Sequence, residues 1–177
     1  MPFEPVRGSA KQPGRVITNI FAQATENGFR RARETIADWP VVARRVYFLN
    51  LVGMEMNSAP TQWLAAVSAE EFDDVLDALT AAECVETATF IKKALRVAID
   101  DGCCGWAGPG AFGPDAPHLL GTVDDDWIAA HTEAADFTWD TLDLQVSVRL
   151  NRDEVWPRTK AYVRDHLDEL VLPKTRR

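Results

Sequence analysis

Glu70, Asp73, Asp74 and Asp77 fall at the spacing i, i+3, i+4, i+7, and Phe72, Val75, Leu76 and Leu79 repeat that spacing two residues further on. Two stripes of opposite character at a period of 3.6 residues define an amphipathic helix lying on a core. Ser68, with Glu71 three residues later, forms a capping box that opens it. The apolar stripe explains itself. The acidic one does not, because like charges three or four residues apart repel and weaken a helix.

The remaining pattern is also helical. Ile17, Ile20, Phe21 and Ala24 share a face in a stretch that reads as one helix from Ile17 to about Trp39, ending at Pro40. Residues 46–56 are apolar around nearly the whole circumference, the mark of a central helix buried on most sides. Ser58-Ala59-Pro60 reads as a turn into a further helix through residues 61–67. Residues 85–101 present Ala88, Ile91, Leu95 and Ala98 with Phe90, Ala94 and Val97 beside them, as a core helix would. Residues 102–121 contain six Gly and three Pro without periodicity and read as a long loop. A short helix over 124–133 follows, with Asp124, Asp125 and Asp126 at its positive end. Residues 143–150 are ambiguous between strand and helix. The last helix is expected from near Pro157 to Leu170, with Trp156, Thr159, Val163, Leu167 and Leu170 inward. The expected architecture is all-α: a mobile arm over 1–15, then one compact bundle of about six to seven helices over 16–177.

Charge is distributed unevenly along this frame. Residues 1–45 hold eight basic and four acidic residues, whereas 46–177 hold eleven basic and twenty-three acidic ones. Between Val46 and Val148 eighteen carboxylates meet only Lys92, Lys93 and Arg96. Such a body repels phosphate backbones and anionic lipid, so neither direct nucleic-acid binding nor a membrane role is expected. No run reaches the roughly 18 apolar residues of a membrane span, and the N-terminus lacks the apolar core of a signal peptide. Three cysteines, Cys84, Cys103 and Cys104, are too few for a disulfide framework. A cytoplasmic protein is expected.

Catalytic and metal chemistry find little support. Cys103, Cys104 and His118 share a loop, but adjacent cysteines do not have zinc-ligand spacing and a fourth ligand is lacking. Asp124 to Asp126 lack the alternation of a calcium loop. No nucleophile elbow or phosphate-binding loop occurs, and His118, His131 and His166 have no partner motif. No enzyme, cofactor or metal is expected. One polar group interrupts the apolar centre: Asn50, Glu55 and Asn57, followed by Gln62 and Trp63. Buried polar groups need hydrogen-bond partners, so these are expected to tie the central helix to the following turn.

Those same residues carry a family likeness. The segment FLNLVGMEMNSAPTQWL, the acidic helix and LTAAECVETATFIKKAL together resemble the bacterial family called domain of unknown function 4375, whose best-known member is an acidic DNA mimic. Glu55, Asn57, Gln62 and Trp63 match the family's acidic residue, Asn, Gln and aromatic, and YVRDHLDEL resembles its ending. The likeness spans about residues 40–170. Ser58-Ala59-Pro60 stands where the family usually has Gly-Gly. The resemblance implies a helical fold without known catalysis. It also implies a member able to bind a helix-turn-helix factor in place of DNA, as a dimer.

The leading expectation is therefore an acidic interaction domain whose face at Glu70, Asp73, Asp74 and Asp77, extended by Asp124, Asp125 and Asp126, binds a basic and even DNA-binding protein. A homodimer is compatible with this. The alternatives are an immunity or antitoxin-type protein that neutralises a toxin through an apolar surface, and a small-molecule-binding or enzymatic domain using Glu55, Asn57 and Gln62.

Overall fold

In a computed structural model of the chain, the apolar segment becomes helix α3 (Val41–Ser58), around which the other elements are arranged. The structure describes residues 2–4, 12–28, 31–58, 63–64, 67–100, 124–138 and 144–170. The other helices are α1 (Pro13–Ala24), α2 (Ala32–Ile36), α4 (Ala69–Ala81), α5 (Val85–Asp100), α6 (Asp125–His131), α7 (Leu144–Leu150), α8 (Trp156–Asp165) and α9 (Leu167–Leu170). A π-helical turn, Asn151–Val155, joins α7 to α8 without a break. The fold is all-helical, with no strand among the described residues.

Helix α3 packs against α1, α4, α7, the π turn, α8 and α9. Val46, Leu49, Val52 and Met56 are wholly enclosed. Helix α4 supplies Phe72, Val75, Ala78 and Leu79 to the same core, with Leu76 half-buried at its edge. Each large apolar side chain so enclosed is worth about 1.5–3 kcal/mol. That gain outweighs the few tenths of a kcal/mol by which neighbouring carboxylates oppose the α4 helix. Helix α5 buries Phe90, Ile91, Ala94, Leu95, Val97 and Ala98, as its periodicity predicts.

Parts of the helical reading are corrected. The single helix from Ile17 to Trp39 is two helices, parted by a turn in which Gly28 adopts φ +94°, a left-handed conformation that a right-handed helix does not include. The ambiguous stretch at Val146 and Val148 is helical, in α7. The last helix does not start at Pro157 and does not run unbroken to Leu170. It continues from α7 through the π turn and breaks at His166, whose backbone (φ −119°, ψ 27°) is not helical. A π turn takes up one extra residue and so shifts the helical face beyond it. Trp156 consequently lies outside, 38% exposed beneath the Lys160 ammonium at 4.5 Å, while Thr159, Tyr162 and Val163 point inward.

The crossing of α3 and the π turn is close. A Cβ added at Gly53 would lie 2.9 Å from Asn151 Oδ1, a buried oxygen without a hydrogen-bond partner among the described residues. Beside it the Ser147 hydroxyl donates to the Met56 carbonyl at 2.9 Å. Within the expected arm, residues 2–4 lie on α1. The Glu4 amide donates to Gln23 Oε1, Gln23 Nε2 donates to the Glu4 carbonyl, and Phe3 meets the Trp39 ring at 5.2 Å. Of the expected turn Ser58-Ala59-Pro60, Ser58 is the last residue of α3, while Ala59 and Pro60, like the Gly-rich stretch 102–121, lie outside the described residues.

Candidate interaction face

The acidic stripe lies on the outer side of α4, and its four carboxylates meet three bases from three other helices. Arg33 of α2 bridges Glu70 at 3.2 Å and Asp74 at 3.6 Å, and also donates to the Ser68 hydroxyl at 2.9 Å. Arg45 of α3 grips Asp77 with two hydrogen bonds, at 2.8 and 3.0 Å. His131 of α6 sits 3.0 Å from Asp73. The stripe is thus the rail on which the basic N-terminal segment docks. Its two arginines lie 37 and 32 residues from the carboxylates they hold, beyond the reach of any local pattern.

Docking leaves the carboxylates accessible: the side chains of Glu70, Asp73, Asp74 and Asp77 are 75, 49, 38 and 55% exposed. Arg33 and Ser68 hold the Glu70 carboxyl below its usual range. Asp74 moves the other way, raised by partial burial despite Arg33 and Arg44. The two arginines offset two of the four negative charges.

Helix α6 is joined to α4 by two side-chain contacts. Trp127 packs edge-on against Phe72, with ring centroids 5.9 Å apart, and His131 reaches the next residue, Asp73. These contacts set α6 beside the first half of α4. Asp124 caps the helix by accepting from the Trp127 amide at 2.8 Å. Asp124, Asp125 and Asp126 are exposed and have no ion-pair partner among the described residues.

The polar residues of the central helix are brought together differently from expectation. Glu55 is half-buried, Asn57 is exposed, and the two diverge on the helix. Gln62 lies outside the described residues. The charge that bears on Glu55 is that of Glu71, which the capping-box spacing marks only as a helix-opening residue. The Glu71 amide does donate to the Ser68 hydroxyl at 3.2 Å. Its carboxyl, however, is drawn out of water and raised by that desolvation, with Trp63 and Arg33 opposing. Burial raises Glu55 too, and the charge of Glu71 adds to it. The Trp63 indole nitrogen is enclosed without an acceptor in hydrogen-bond geometry among the described residues, so its effect on Glu71 is that of a nearby dipole, not of a completed bond. Burial of Tyr47, with the charges of Glu71 and Glu55, likewise raises its phenol.

Among the described residues no group of three or more His, Cys, Asp or Glu is placed to hold a metal ion; Cys103, Cys104 and His118 lie outside them. Cys84 is enclosed and its thiol is pushed up to about 12, mainly by burial. An open groove of about 580 Å³ runs between α5 and the segment after α6, lined by Arg96, Asp100, Thr132, Glu133 and Phe137. The Arg96 guanidinium is committed to Asp100 at 2.9 Å. No described helix is long and apolar enough to cross a membrane. No protein-family model matches the chain, and neither a curated protein nor a solved structure does.

Proposed function

We propose that this chain is a non-enzymatic cytoplasmic interaction domain that binds a basic protein through the acidic face formed by the outer edge of α4 and the N-terminus of α6. The observation that carries this reading is that Asp124, Asp125 and Asp126, exposed and without ion-pair partners among the described residues, open a helix that Trp127 and His131 join to the acidic helix α4 at Phe72 and Asp73. Carboxylates in this setting attract lysines and arginines of a partner and speed encounter more than they add affinity. The likeness of Glu55, Asn57 and Trp63 to a family with an acidic DNA mimic supports the same reading. The stricter form, a row of free charges imitating phosphates, is the weaker version here, because Arg33 and Arg45 already engage Glu70, Asp74 and Asp77. A pocket built on Glu55 and Asn57 is disfavoured by their divergence.

Capture from cell lysate on immobilised protein tests the proposal. A partner held at low salt should be released at high salt, and the triple variant Asp124→Asn, Asp125→Asn, Asp126→Asn should retain much less of it. Equal capture by the triple variant, or capture indifferent to salt, would refute an electrostatic face and favour an apolar, toxin-neutralising surface.

A further inference from the structure

Helix α6 is seven residues long and fully buries none of its side chains. Elements with so few buried contacts open locally well below the free energy of global unfolding. Besides the Trp127–Phe72 contact, α6 is held to the body by His131. The segment beyond it is held by Glu133 to Lys92 at 3.9 Å, Asp136 to Lys93 at 3.1 Å and Phe137 against Phe90.

The surroundings of the His131 ring are unusual. Its Nδ1 lies 2.8 Å from the Trp127 carbonyl oxygen, and its Nε2 lies 3.0 Å from Asp73 Oδ1. The ring also stacks on the Trp127 indole, with centroids 4.3 Å apart and planes 12° from parallel. A carbonyl and a carboxylate only accept hydrogen bonds. Both contacts therefore form together only when both ring nitrogens donate, which is the imidazolium form. The position at the C-terminal end of α6, against an indole face, suits the same cation. His166 offers an internal comparison. It stacks on Tyr162 at 4.2 Å and places Nδ1 2.9 Å from the Tyr162 carbonyl, but has no ion-pair partner among the described residues.

We infer that His131 is a proton-operated latch that closes α6 onto α4 when both ring nitrogens are protonated and loosens it when one proton leaves. The groups set against it are Asp73 from α4 and the Trp127 carbonyl and indole of α6 itself; the nearest charge along the chain, Glu133, is engaged by Lys92 of α5. Loosening uncovers the edge of Phe72 and frees the helix that Asp124, Asp125 and Asp126 open from its tie to α4. The latch stands whether or not that face has a partner.

Amide hydrogen exchange of the whole chain, corrected for the intrinsic pH dependence of exchange, reads the latch directly. Protection of the α6 amides should fall about fivefold from pH 5 to pH 8, the range over which histidine changes charge, a size matching one partly exposed ion pair. His131→Gln should flatten that response, Asp73→Asn should reduce it, and His166→Gln should leave it intact. Ring ¹⁵N shifts should show His131 protonated on both nitrogens at low pH and on Nδ1 alone at high pH. Unchanged wild-type protection across the range, a full response surviving in His131→Gln, or a neutral ring protonated on Nε2 would overturn the inference.

Discussion

Glu154 holds the start of α5 to the π turn. Helix α5 starts after Cys84, and a cysteine side chain is a poor acceptor for the free amides of a helix's first turn. Glu154, in the π turn, does that work from across the fold. One carboxylate oxygen accepts from the Glu86 amide at 3.0 Å; the other accepts from the Thr87 amide at 2.7 Å and from the Thr87 hydroxyl. Thr87 is fully enclosed, so water cannot readily replace the lost acceptor. A hydrogen bond to a charged group contributes about 1.5–3 kcal/mol net, and each buried donor left without a partner costs about 1–3 kcal/mol. Counting one full charged interaction and one orphaned donor, Glu154→Ala should lose about 2.5–6 kcal/mol. Each kcal/mol moves Tm by roughly 2–4 °C in a chain of this size, so Tm should fall by at least about 5 °C. Glu154→Gln keeps an acceptor but turns a donor toward the amides, and should fall between wild type and alanine. Urea denaturation followed by circular dichroism measures all three. A loss under about 1 kcal/mol for the alanine variant, below the range for even one charged hydrogen bond, or glutamine equal to wild type, would refute the argument that this carboxylate caps α5.

Three further outcomes are expected. Gly53→Ala should destabilise, because the added methyl meets Asn151 Oδ1 at 2.9 Å, even though alanine is the better helix former by about 1 kcal/mol; adding Asn151→Ala should reverse the sign, and additive effects in a thermal double-mutant cycle would exclude the clash. Glu71→Gln should raise Tm at pH 7 and leave it unchanged at pH 4. The folded state holds the Glu71 carboxyl above its ordinary value, so the contribution is full below the unfolded pKa and is lost as pH rises through the folded one; a lower Tm at pH 7 would contradict this. Arg33→Ala should cost about 1 kcal/mol or less, since its ion pairs are half-exposed. It should also let the Glu70 carboxyl rise, which carboxyl-carbon NMR titration would detect. In the wild type the lowered Glu70 gives stability above the ordinary carboxylate range that is lost as pH falls through its folded value.

The helices on either side of the core were legible because their apolar spacing is strong. For α4 and α5 the buried faces follow from periodicity almost residue by residue. The break around Gly28 was hidden, since Arg30, Arg31 and Arg33 continue a helical pattern and one left-handed glycine leaves little trace in hydropathy. The π turn was hidden for a similar reason: one residue of phase shift misplaces Trp156 without altering composition. The candidate face was legible only by half. The sequence displays the carboxylates, and the charge imbalance between residues 1–45 and the remainder shows that bases are available. That Arg33, Arg45 and His131 are the ones delivered depends on how α2, α3 and α6 pack, which no local pattern encodes. The burial of Glu71 near the charge-sensitive Glu55 is not legible either, because a capping-box glutamate is ordinarily a surface residue, whereas here its carboxyl is drawn out of water.

The rail on α4 means that this protein carries its own counterions. At Glu70, Asp74 and Asp77 these two arginines, Arg33 and Arg45, stand where a basic partner's own would stand, so in the proposed complex binding there would be part exchange and part addition. A guanidinium that took Asp77 from Arg45 would leave the displaced group tethered nearby to compete for return, whereas Asp73 holds no arginine to displace. A partner offering several cations at once would meet that competition better than one offering a single cation. In the proposed interaction the resident arginines would therefore favour clustered basic residues over isolated ones.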